Sequence, residues 1–402
     1  MPMLSIGIDV SKGKSTVCGM KPGGEIVYAP FEIQHTREGM SELVSLLHNS
    51  CEEVRAVLES TGSYHCPVVA ALLENGIFVS VVNSLRMKRF CSQSIRKVKT
   101  DRIDAMQIAL YGSAYWQELQ PTRLPEDTYR ELQLLARQYY QMTSMLIKAK
   151  VDFNALCDQV LPGMQELMSD HAGRHKLSDF VLRYHHTTHI LEMGETRFRK
   201  DYCKWAEKKG YRNCERMAAL IFATAQNGIP VLPNAPSTQI VITEAIRVLH
   251  TVEASRDAIL TQMQALAKTL PEYSLVREMP CIGDTLAPRL IAEIGDVRRF
   301  HSKRALIAYA GIDAPPYQSG KFCANNRHIS KRGNRYLRKT EYEVMQSYVM
   351  HKPANDPIFT FIEKKRSEGK SGKLAMVAGL NKFLRVYYGK VTELYRSSSA
   401  IE

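Results

Sequence analysis

The sequence predicts an α/β domain at its start and a mainly helical chain after it. Short apolar runs separated by turn residues fill positions 3–82, as expected for strands that alternate with helices. Apolar residues then recur at three- and four-residue steps over 126–160 and over 237–270, which indicates two long amphipathic helices. After Pro271, glycine turns and clustered basic residues follow. The predicted domains are 1–125, 126–270 with an insertion at about 161–236, and 271–402.

Composition places the chain among nucleic-acid-binding proteins. The 402 residues are 45% hydrophobic, which is ordinary for chains that bury cores and leaves room for two or three domains. Lys and Arg number 54 against 41 Asp and Glu, a net charge of +13, so the surface should attract polyanions. No apolar stretch reaches the roughly 18 residues of a membrane helix, and no signal peptide is visible. We expect a soluble, intracellular protein with no membrane partner.

Cysteine spacing excludes a disulfide framework and a zinc knuckle. The chain has nine cysteines, an odd number, and they are scattered without a CxxC pair. We therefore expect reduced thiols.

The α/β domain begins with a hairpin and continues as alternating helices and strands. A first strand covers 3–10, and Pro22-Gly23-Gly24 separates two further apolar runs at 16–20 and 26–29, which is a hairpin signal. The elements that follow are a helix over 37–49, a strand over 54–58, a helix near 66–74 and a strand over 77–82. Three antiparallel strands followed by this alternation predict a ribonuclease H-like sheet.

Four carboxylates stand where this sheet would bring them together. Asp9 follows the apolar run of the first strand, and Glu59 lies at the end of the fourth. Asp101 and Asp104 are three residues apart at the start of a helix that runs to about 112, so they share one face of it. Hard divalent cations prefer oxygen ligands, and a pair of them can activate an attacking oxygen and stabilise a leaving oxygen on a phosphodiester. The pattern predicts a metal-dependent nuclease or strand-transfer domain.

Basic residues cluster beside these acids and again near the C-terminus. A basic run is often only a solvated surface. For the run beside the acids, contact with phosphate groups explains the charge as well as a solvated surface does. In the C-terminal cluster a serine beside a glycine, Ser319, is a candidate nucleophile. Ser302 and Ser330 qualify almost as well on chemistry alone. The predicted nucleic-acid-binding residues are Lys97, Lys99, Arg102, Lys321, Arg327, Lys331, Arg332, Arg335 and Arg338.

The middle of the chain carries less information. Its two long helices suit an antiparallel coiled-coil arm or a dimer seam, and packing back onto a globular core is the alternative. His185, His186 and His189 have a spacing compatible with metal binding, but no Cys or acid lies at a clear distance from them. We expect these three to be surface histidines.

Five motifs together resemble one family. They are Gly7-Ile8-Asp9-Val10-Ser11-Lys12, Glu59-Ser60-Thr61-Gly62, Lys99-Thr100-Asp101-Arg102-Ile103-Asp104-Ala105, Ala308-Tyr309-Ala310-Gly311-Ile312 with Gln318-Ser319-Gly320, and Ile329-Ser330-Lys331-Arg332-Gly333-Asn334. They closely resemble motifs of the DEDD transposases of bacterial insertion sequences, a group that includes Piv-like DNA invertases and RNA-guided bridge recombinases. The resemblance covers residues 1–112 and about 271–390.

The resemblance implies a RuvC-like N-terminal domain, a helical coiled-coil arm with an insertion, and a mainly helical C-terminal transposase domain. It implies that Asp9, Glu59, Asp101 and Asp104 bind Mg²⁺, with Mn²⁺ as the alternative ion. The serine nucleophile of the family maps to Ser319, which would form a phosphoserine link to DNA. The implied partners are donor DNA, target DNA and a structured non-coding guide RNA. The implied assembly is a homodimer that forms a tetramer on DNA, and the implied location is the bacterial cytoplasm, in association with the nucleoid when the protein is active.

Three other functions compete with this interpretation. A Holliday-junction-type nuclease would keep the sheet and the acids but use water as its nucleophile. A small-molecule kinase also begins with a strand that reads Gly-Ile-Asp, but the second glycine-rich phosphate loop that it needs is not visible. A nucleic-acid scaffold without catalysis is the least attractive, because all four acids are present.

Overall fold

The computed structural model divides the chain into two compact units, Met1–Leu124 and Pro125–Glu402. The residues that it describes are 3–60, 62, 64–92, 100–122, 126–171, 174–211, 215–314, 318–319, 322–323 and 328–399. Among these residues, no helix combines the length and the apolar character needed to cross a bilayer.

The first unit is built on a five-stranded mixed sheet. Its strands are β1 (Met3–Val10), β2 (Lys14–Met20), β3 (Ile26–Gln34), β4 (Glu53–Glu59) and β5 (Phe78–Val82), and its helices are α1 (Arg37–His48), α2 (Cys66–Glu74), α3 (Ser84–Cys91) and α4 (Asp101–Ala114). The strand order is β3-β2-β1-β4-β5. The first three strands pair antiparallel, and β4 runs parallel to both β1 and β5. This confirms the predicted ribonuclease H-like order, with β1 at the centre.

Alternation along β1 gives the sheet two different faces. Leu4, Ile6 and Ile8 are fully buried and pack with the apolar residues of α1 and α2. The intervening residues of β1 face α4, and among them Gly7 allows the closest approach. A Cβ atom at Gly7 would lie 2.2 Å from the carbonyl oxygen of Ala105. Helix α4 therefore lies with its backbone directly on the central strand.

The direction of α4 follows from its contacts along β1. Ala105 and Ala109 lie against Gly7, whereas Gly112, seven residues further along the helix than Ala105, lies against Ser5. The helix thus runs antiparallel to β1, and its first turn lies at the edge where β1 ends. Thr100 caps this turn by accepting a hydrogen bond from the N–H of Ile103 at 3.3 Å.

The second unit is helical apart from one short hairpin. Its helices are α5 (Asp127–Val160), α6 (Met164–Leu167), α7 (Lys176–Tyr184), α8 (Thr187–Met193), α9 (Glu195–Lys208), α10 (Glu215–Asn227), α11 (Pro236–Ala267), α12 (Tyr273–Arg277), α13 (Leu286–Ile294), α14 (Lys303–Ala310), α15 (Arg335–His351), α16 (Pro357–Ser367) and α17 (Gly372–Ser399). The hairpin strands are β6 (Gln318–Ser319) and β7 (Phe322–Cys323).

The two predicted long helices are present and pair with each other. The first turns of α5, with Leu132, share a core with the end of α11, with Met263, and with the C-terminal helices. The far end of α5, with Phe153, shares a second core with Ile242 near the start of α11. The pair is therefore antiparallel, and α6–α10 fold around its far end. Its role as a dimer arm stays a prediction.

The expectation of surface histidines is wrong for His186. This side chain is only 3% exposed. Its Nδ1 accepts a hydrogen bond from the N–H of Thr188 at 3.1 Å and so caps α8, while its Nε2 lies 3.0 Å from the carbonyl oxygen of Leu232. A histidine can replace Ser or Asp as an N-cap, which the sequence pattern did not indicate.

Glu341 is a buried acid in the C-terminal core. It is 0% exposed, and neither of its carboxyl oxygens has a hydrogen-bond partner among the residues that the structure describes. Burial raises the pKa of this carboxyl well above its ordinary value, because the charged form loses its hydration. The side chain therefore stays protonated in the folded protein at a pH where it ionises in the unfolded chain.

We expect Gly7→Ala to destabilise the first unit by about 1–3 kcal/mol or more, because the new methyl group meets helix backbone that cannot rotate away. The measurement is denaturant unfolding. Gly389→Ala is the control, since a Cβ at this exposed site in α17 meets nothing within 4 Å, and alanine should stabilise that helix by about 0.5–1 kcal/mol. Equal stability of Gly7→Ala and the wild type would contradict the close packing.

Glu341→Gln should change how stability depends on pH. A raised folded-state pKa contributes stability that is complete below the ordinary value of 4.5 and is lost as pH rises through the folded-state value. The variant cannot ionise, so its free energy of unfolding should fall less than that of the wild type between pH 5 and pH 8. Urea unfolding at both pH values tests this, with the exposed Glu393→Gln as control. Identical pH dependence in the variant and the wild type would count against a protonated Glu341.

Candidate functional site

Two of the four predicted acids lie at the ends of neighbouring parallel strands, Asp9 as the penultimate residue of β1 and Glu59 as the last residue of β4. Ile8 of β1 pairs with Leu58 of β4, so the next residues, Asp9 and Glu59, lie side by side at one edge of the sheet. Adjacent strands are about 4.8 Å apart. Gly7 and Val57, each two residues before one of these acids, pack against α4. Side chains two residues apart on a strand share a face, so both acids point toward α4. Both are half-buried.

The other two acids lie in the first turn of α4, which begins at the same edge. Partial positive charge at a helix N-terminus stabilises carboxylates placed there. The hydrogen bond to Glu32 raises the pKa of Lys14 at the start of β2, and the negative charge of Asp101 raises it further. Asp101 therefore lies within electrostatic range of the sheet.

Cys91, at the end of α3, is influenced by one acid of each pair. Burial raises the pKa of its thiol, and the charges of Asp104 and Glu59 raise it further. One helix-borne acid and one strand-borne acid thus lie close to the same side chain. The fold gathers the four predicted acids, which we call the acidic quartet, at one edge of the sheet.

The quartet offers only carboxylate oxygens, the donor type that Mg²⁺ prefers. Within the described ranges, the three His, Cys, Asp or Glu residues whose ligand atoms all lie within 4.8 Å of one another are Asp170, His175 and His250. The quartet acids share one edge of the sheet because of their backbone positions, but their ligand atoms are more widely spaced than those of that trio. Its donors fit a hard divalent ion.

Exposed cations adjoin the quartet. Arg86, Lys88 and Arg89 project from α3, which packs on α4 through the edge-to-face contact of Phe90 with Tyr111. Arg102, in the first turn of α4, is exposed as well. Lys97 and Lys99 lie outside the described residues.

The second predicted site is the segment that carries Ser319. Its backbone belongs to β6 and pairs with Phe322 of β7. Lys321 and Arg327 lie outside the described residues. The base of this segment is closed by hydrogen bonds from the N–H of Ser330 to the carbonyl of Asp313, at 2.8 Å, and from the N–H of Lys331 to the carbonyl of Gly311, at 2.9 Å.

The two alternative serines have structural partners. The hydroxyl of Ser302 accepts a hydrogen bond from the N–H of Ala305 at 3.2 Å and caps α14. The hydroxyl of Ser330 donates to the carboxylate of Asp313. Both side chains therefore contribute to local structure on either side of Ser319.

Helix α15 presents the predicted basic residues from its start. Asn334 caps it by accepting hydrogen bonds from the N–H groups of Tyr336 and Leu337, at 2.9 and 3.1 Å. Arg335 is exposed, as are Lys331 and Arg332 just before the helix. Arg338 is half-buried and donates to the carbonyl of Ala310 at 2.9 Å, so part of its guanidinium holds the end of α14.

A buried acid that the sequence analysis missed holds this cap in place. Glu293 is 0% exposed and accepts hydrogen bonds from Arg137 at 3.1 and 3.3 Å and from the amide of Asn334 at 2.7 Å. The network joins α5, α13 and the start of α15. The available signal was a single acid inside the apolar run 290–294, because such an acid is rarely buried without a partner.

Comparison with known proteins assigns the chain to a family. One family model, described as a transposase of the IS110 DEDD type, matches residues 6–162, and a second, described as the transposase IS116/IS110/IS902 family, matches residues 273–358. The 43.6 kDa protein of insertion element IS110 from Streptomyces coelicolor is 21% identical over 92% of this chain and 90% of its own length. The pilin gene-inverting protein of Moraxella bovis is also 21% identical, over 96% of this chain and 95% of its own.

Among solved structures, Thermus thermophilus RuvC is similar to 30% of this chain over 100% of its own length, at 14% identity and a TM-score of 0.24. The same enzyme in complex with a Holliday junction substrate is 13% identical, with the same TM-score. The two family models together match more than half of the chain, at both of the regions that carry the motifs. The protein therefore belongs to the IS110 family of DEDD transposases.

Proposed function

We propose that this transposase cuts and rejoins DNA with a divalent-metal site at the acidic quartet and a serine nucleophile at Ser319. The observation that carries the proposal is the meeting of two strand ends and one helix start at a single sheet edge, each bearing acids. Neighbouring carboxylates repel one another, and a bound cation would relieve that repulsion. The family supplies the class of reaction, which is DNA recombination.

Asp9, Glu59, Asp101 and Asp104 would hold the ion, which we propose to be Mg²⁺ or, as the alternative, Mn²⁺. A bound divalent ion supplies charge stabilisation to the oxygens of a phosphodiester during displacement. The chain itself orients the acids, because Gly7 admits α4 and Thr100 fixes its first turn. The exposed cations of α3, with Arg102, would neutralise neighbouring phosphates.

Ser319 would attack the scissile phosphorus. Its oxygen forms the new phosphoester bond, the bond from phosphorus to the leaving sugar oxygen breaks, and that oxygen takes a proton while the serine proton passes to a base. The hydroxyl of another strand end later displaces the serine. Two observations support Ser319 over the other candidate serines. The alternative hydroxyls of Ser302 and Ser330 already have structural partners, and the segment that carries Ser319 is closed at its base.

The basic residues around the start of α15 would contact the DNA backbone. Cations are unfavourable at a helix N-terminus unless an anion lies there as well, because the helix dipole is positive at that end. Lys331, Arg332 and Arg335 are nevertheless all exposed there, which supports a phosphate partner. Lys97, Lys99, Lys321, Arg327 and Arg338 complete the proposed set.

The proposed partners are donor DNA, target DNA and a structured guide RNA, bound by a homodimer that assembles to a tetramer. The net charge of +13 supports polyanionic partners of either kind. A second candidate function, a junction nuclease that uses water, is favoured by one observation: the whole acidic quartet lies within the first unit, so it does not need Ser319.

Asp101→Asn should lower metal-dependent DNA cleavage by about 100-fold or more, the scale of losing one electrostatic stabiliser. The assay follows nicking of a plasmid that carries the insertion element, with and without Mg²⁺. Asp127→Asn is the matched control, because Asp127 is also an exposed aspartate at the first position of a helix and stands outside the quartet. The metal assignment fails if Asp101→Asn cleaves like the control.

Ser319→Ala should abolish the covalent protein–DNA species and leave DNA binding intact. The measurement is a denaturing gel with end-labelled DNA, paired with filter binding under native conditions. Ser330→Ala serves as the control and should still form the adduct. An adduct in Ser319→Ala that is lost in Ser330→Ala would move the nucleophile to Ser330. Cleavage without any adduct in the wild type would favour the water-using nuclease.

A further inference from the structure

A second group of possible metal ligands lies in the helical insertion, in the stretch between the two family matches. Asp170 and His175 flank the turn before α7, and His250 lies on α11. One ligand atom from each residue lies within 4.8 Å of the other two. All three residues are half-buried. Two of them come from the insertion and the third from the long helix on which it folds.

The imidazole rings of His175 and His250 pack against each other. Their ring centroids are 4.1 Å apart and their planes are inclined by 41°. Nε2 of His250 is inaccessible to solvent and has no hydrogen-bond partner among the described residues. A buried polar atom left in this state is unfavourable, because it has lost its hydration without replacement. A cation bound through this nitrogen would satisfy it.

The carboxylate of Asp170 is held in a fixed orientation. Its Oδ1 accepts hydrogen bonds from the N–H groups of Leu177 and Ser178, at 2.8 and 3.1 Å, and its Oδ2 accepts from the hydroxyl of Ser178. These contacts occupy both lone pairs of Oδ1 but only one of Oδ2. One oxygen lone pair of Asp170 is thus left for a further contact.

Glu253 lies beside His175. It follows His250 by three residues on α11, so the two share one face of the helix, and it is 7% exposed. Its Oε2 lies 3.6 Å from Nδ1 of His175. This separation is an ion-pair contact, longer than a hydrogen bond, and a carboxylate on this side of the ring favours metal binding through the other imidazole nitrogen.

We propose that Asp170, His175 and His250 bind one transition-metal dication of the zinc class, with Glu253 orienting His175. Two imidazole nitrogens and one carboxylate oxygen suit Zn²⁺, whereas Mg²⁺ prefers oxygen alone. The site is therefore different in kind from the acidic quartet. A bound ion would join the turn before α7 to α11 and so fasten the insertion to the long helix pair.

A cavity of about 240 Å³ borders one of the three ligands. It is lined by Asp170 together with Lys150, Asn154 and Gln165, and it also touches Leu249, the residue before His250. Its lining includes neither of the two histidines.

The test is metal binding by the full chain, purified without a histidine tag and stripped with chelator. Isothermal titration with Zn²⁺ in the presence of millimolar Mg²⁺ should show one tight site, and Co²⁺ should give the visible absorption of an ion with nitrogen ligands. Zn²⁺ should also raise the melting temperature. His250→Ala and His175→Ala should each weaken Zn²⁺ binding at least about 10-fold. Asp170→Asn should weaken it too, while keeping an acceptor for the two N–H groups.

His189→Ala is the matched control, because His189 is another half-buried histidine of the insertion and its Nδ1 lies 3.2 Å from the carbonyl oxygen of Tyr184. This variant should bind Zn²⁺ like the wild type. If His250→Ala does not fold, as judged by circular dichroism, His175→Ala in the turn decides the result. The proposal is overturned if the wild type binds no more Zn²⁺ than His250→Ala and His175→Ala do. It is also overturned if His189→Ala loses as much binding as His250→Ala. None of these measurements depends on DNA cleavage.

Discussion

The catalytic proposal depends on how closely α4 approaches β1. Only a residue without a side chain can stand at position 7, since the carbonyl of Ala105 occupies the place of a Cβ atom. This contact brings the first turn of α4 to the edge where Asp9 and Glu59 end their strands. A helix displaced outward by even one methyl group would carry Asp101 and Asp104 away from the sheet. The acids are therefore positioned by backbone packing.

A glycine at a close backbone contact and a capped helix start also occur together in the second unit. Gly333 lies where a Cβ atom would meet the carbonyl oxygen of Tyr309 at 2.0 Å, so two chain segments pass in direct contact beneath the loop that carries Ser319. A capped helix then begins at once, with Asn334 in the role that Thr100 has in α4. The helices differ in charge, since α4 begins with acids and α15 with cations. This difference matches a site for metal ions in one unit and a site for phosphates in the other.

Sequence reasoning succeeded where a pattern is local. The strand order and the long helices follow from apolar periodicity, and α1 and α5 begin within a residue of their predicted starts. It failed where the partners are distant in the chain. Glu293 pairs with Arg137 across 156 positions, and Asp170 meets His250 only because α5 and α11 pair antiparallel and the insertion folds around their far end. The spacing of His185 and His186 is compatible with metal binding, and the sequence analysis predicted surface histidines instead, but His186 is a buried helix cap.

Donor chemistry can keep two metal ions apart within one chain. Raw affinity alone does not decide which divalent ion a protein site holds, because ligand type, geometry and the availability of the ion all contribute. A site with two imidazoles binds zinc more strongly than carboxylates do, and it would take up the scarce ion first. The acidic quartet would then be left to the abundant Mg²⁺, which binds imidazole poorly. On this argument the donor sets of the two proposed sites, and not affinity alone, decide which ion each one binds.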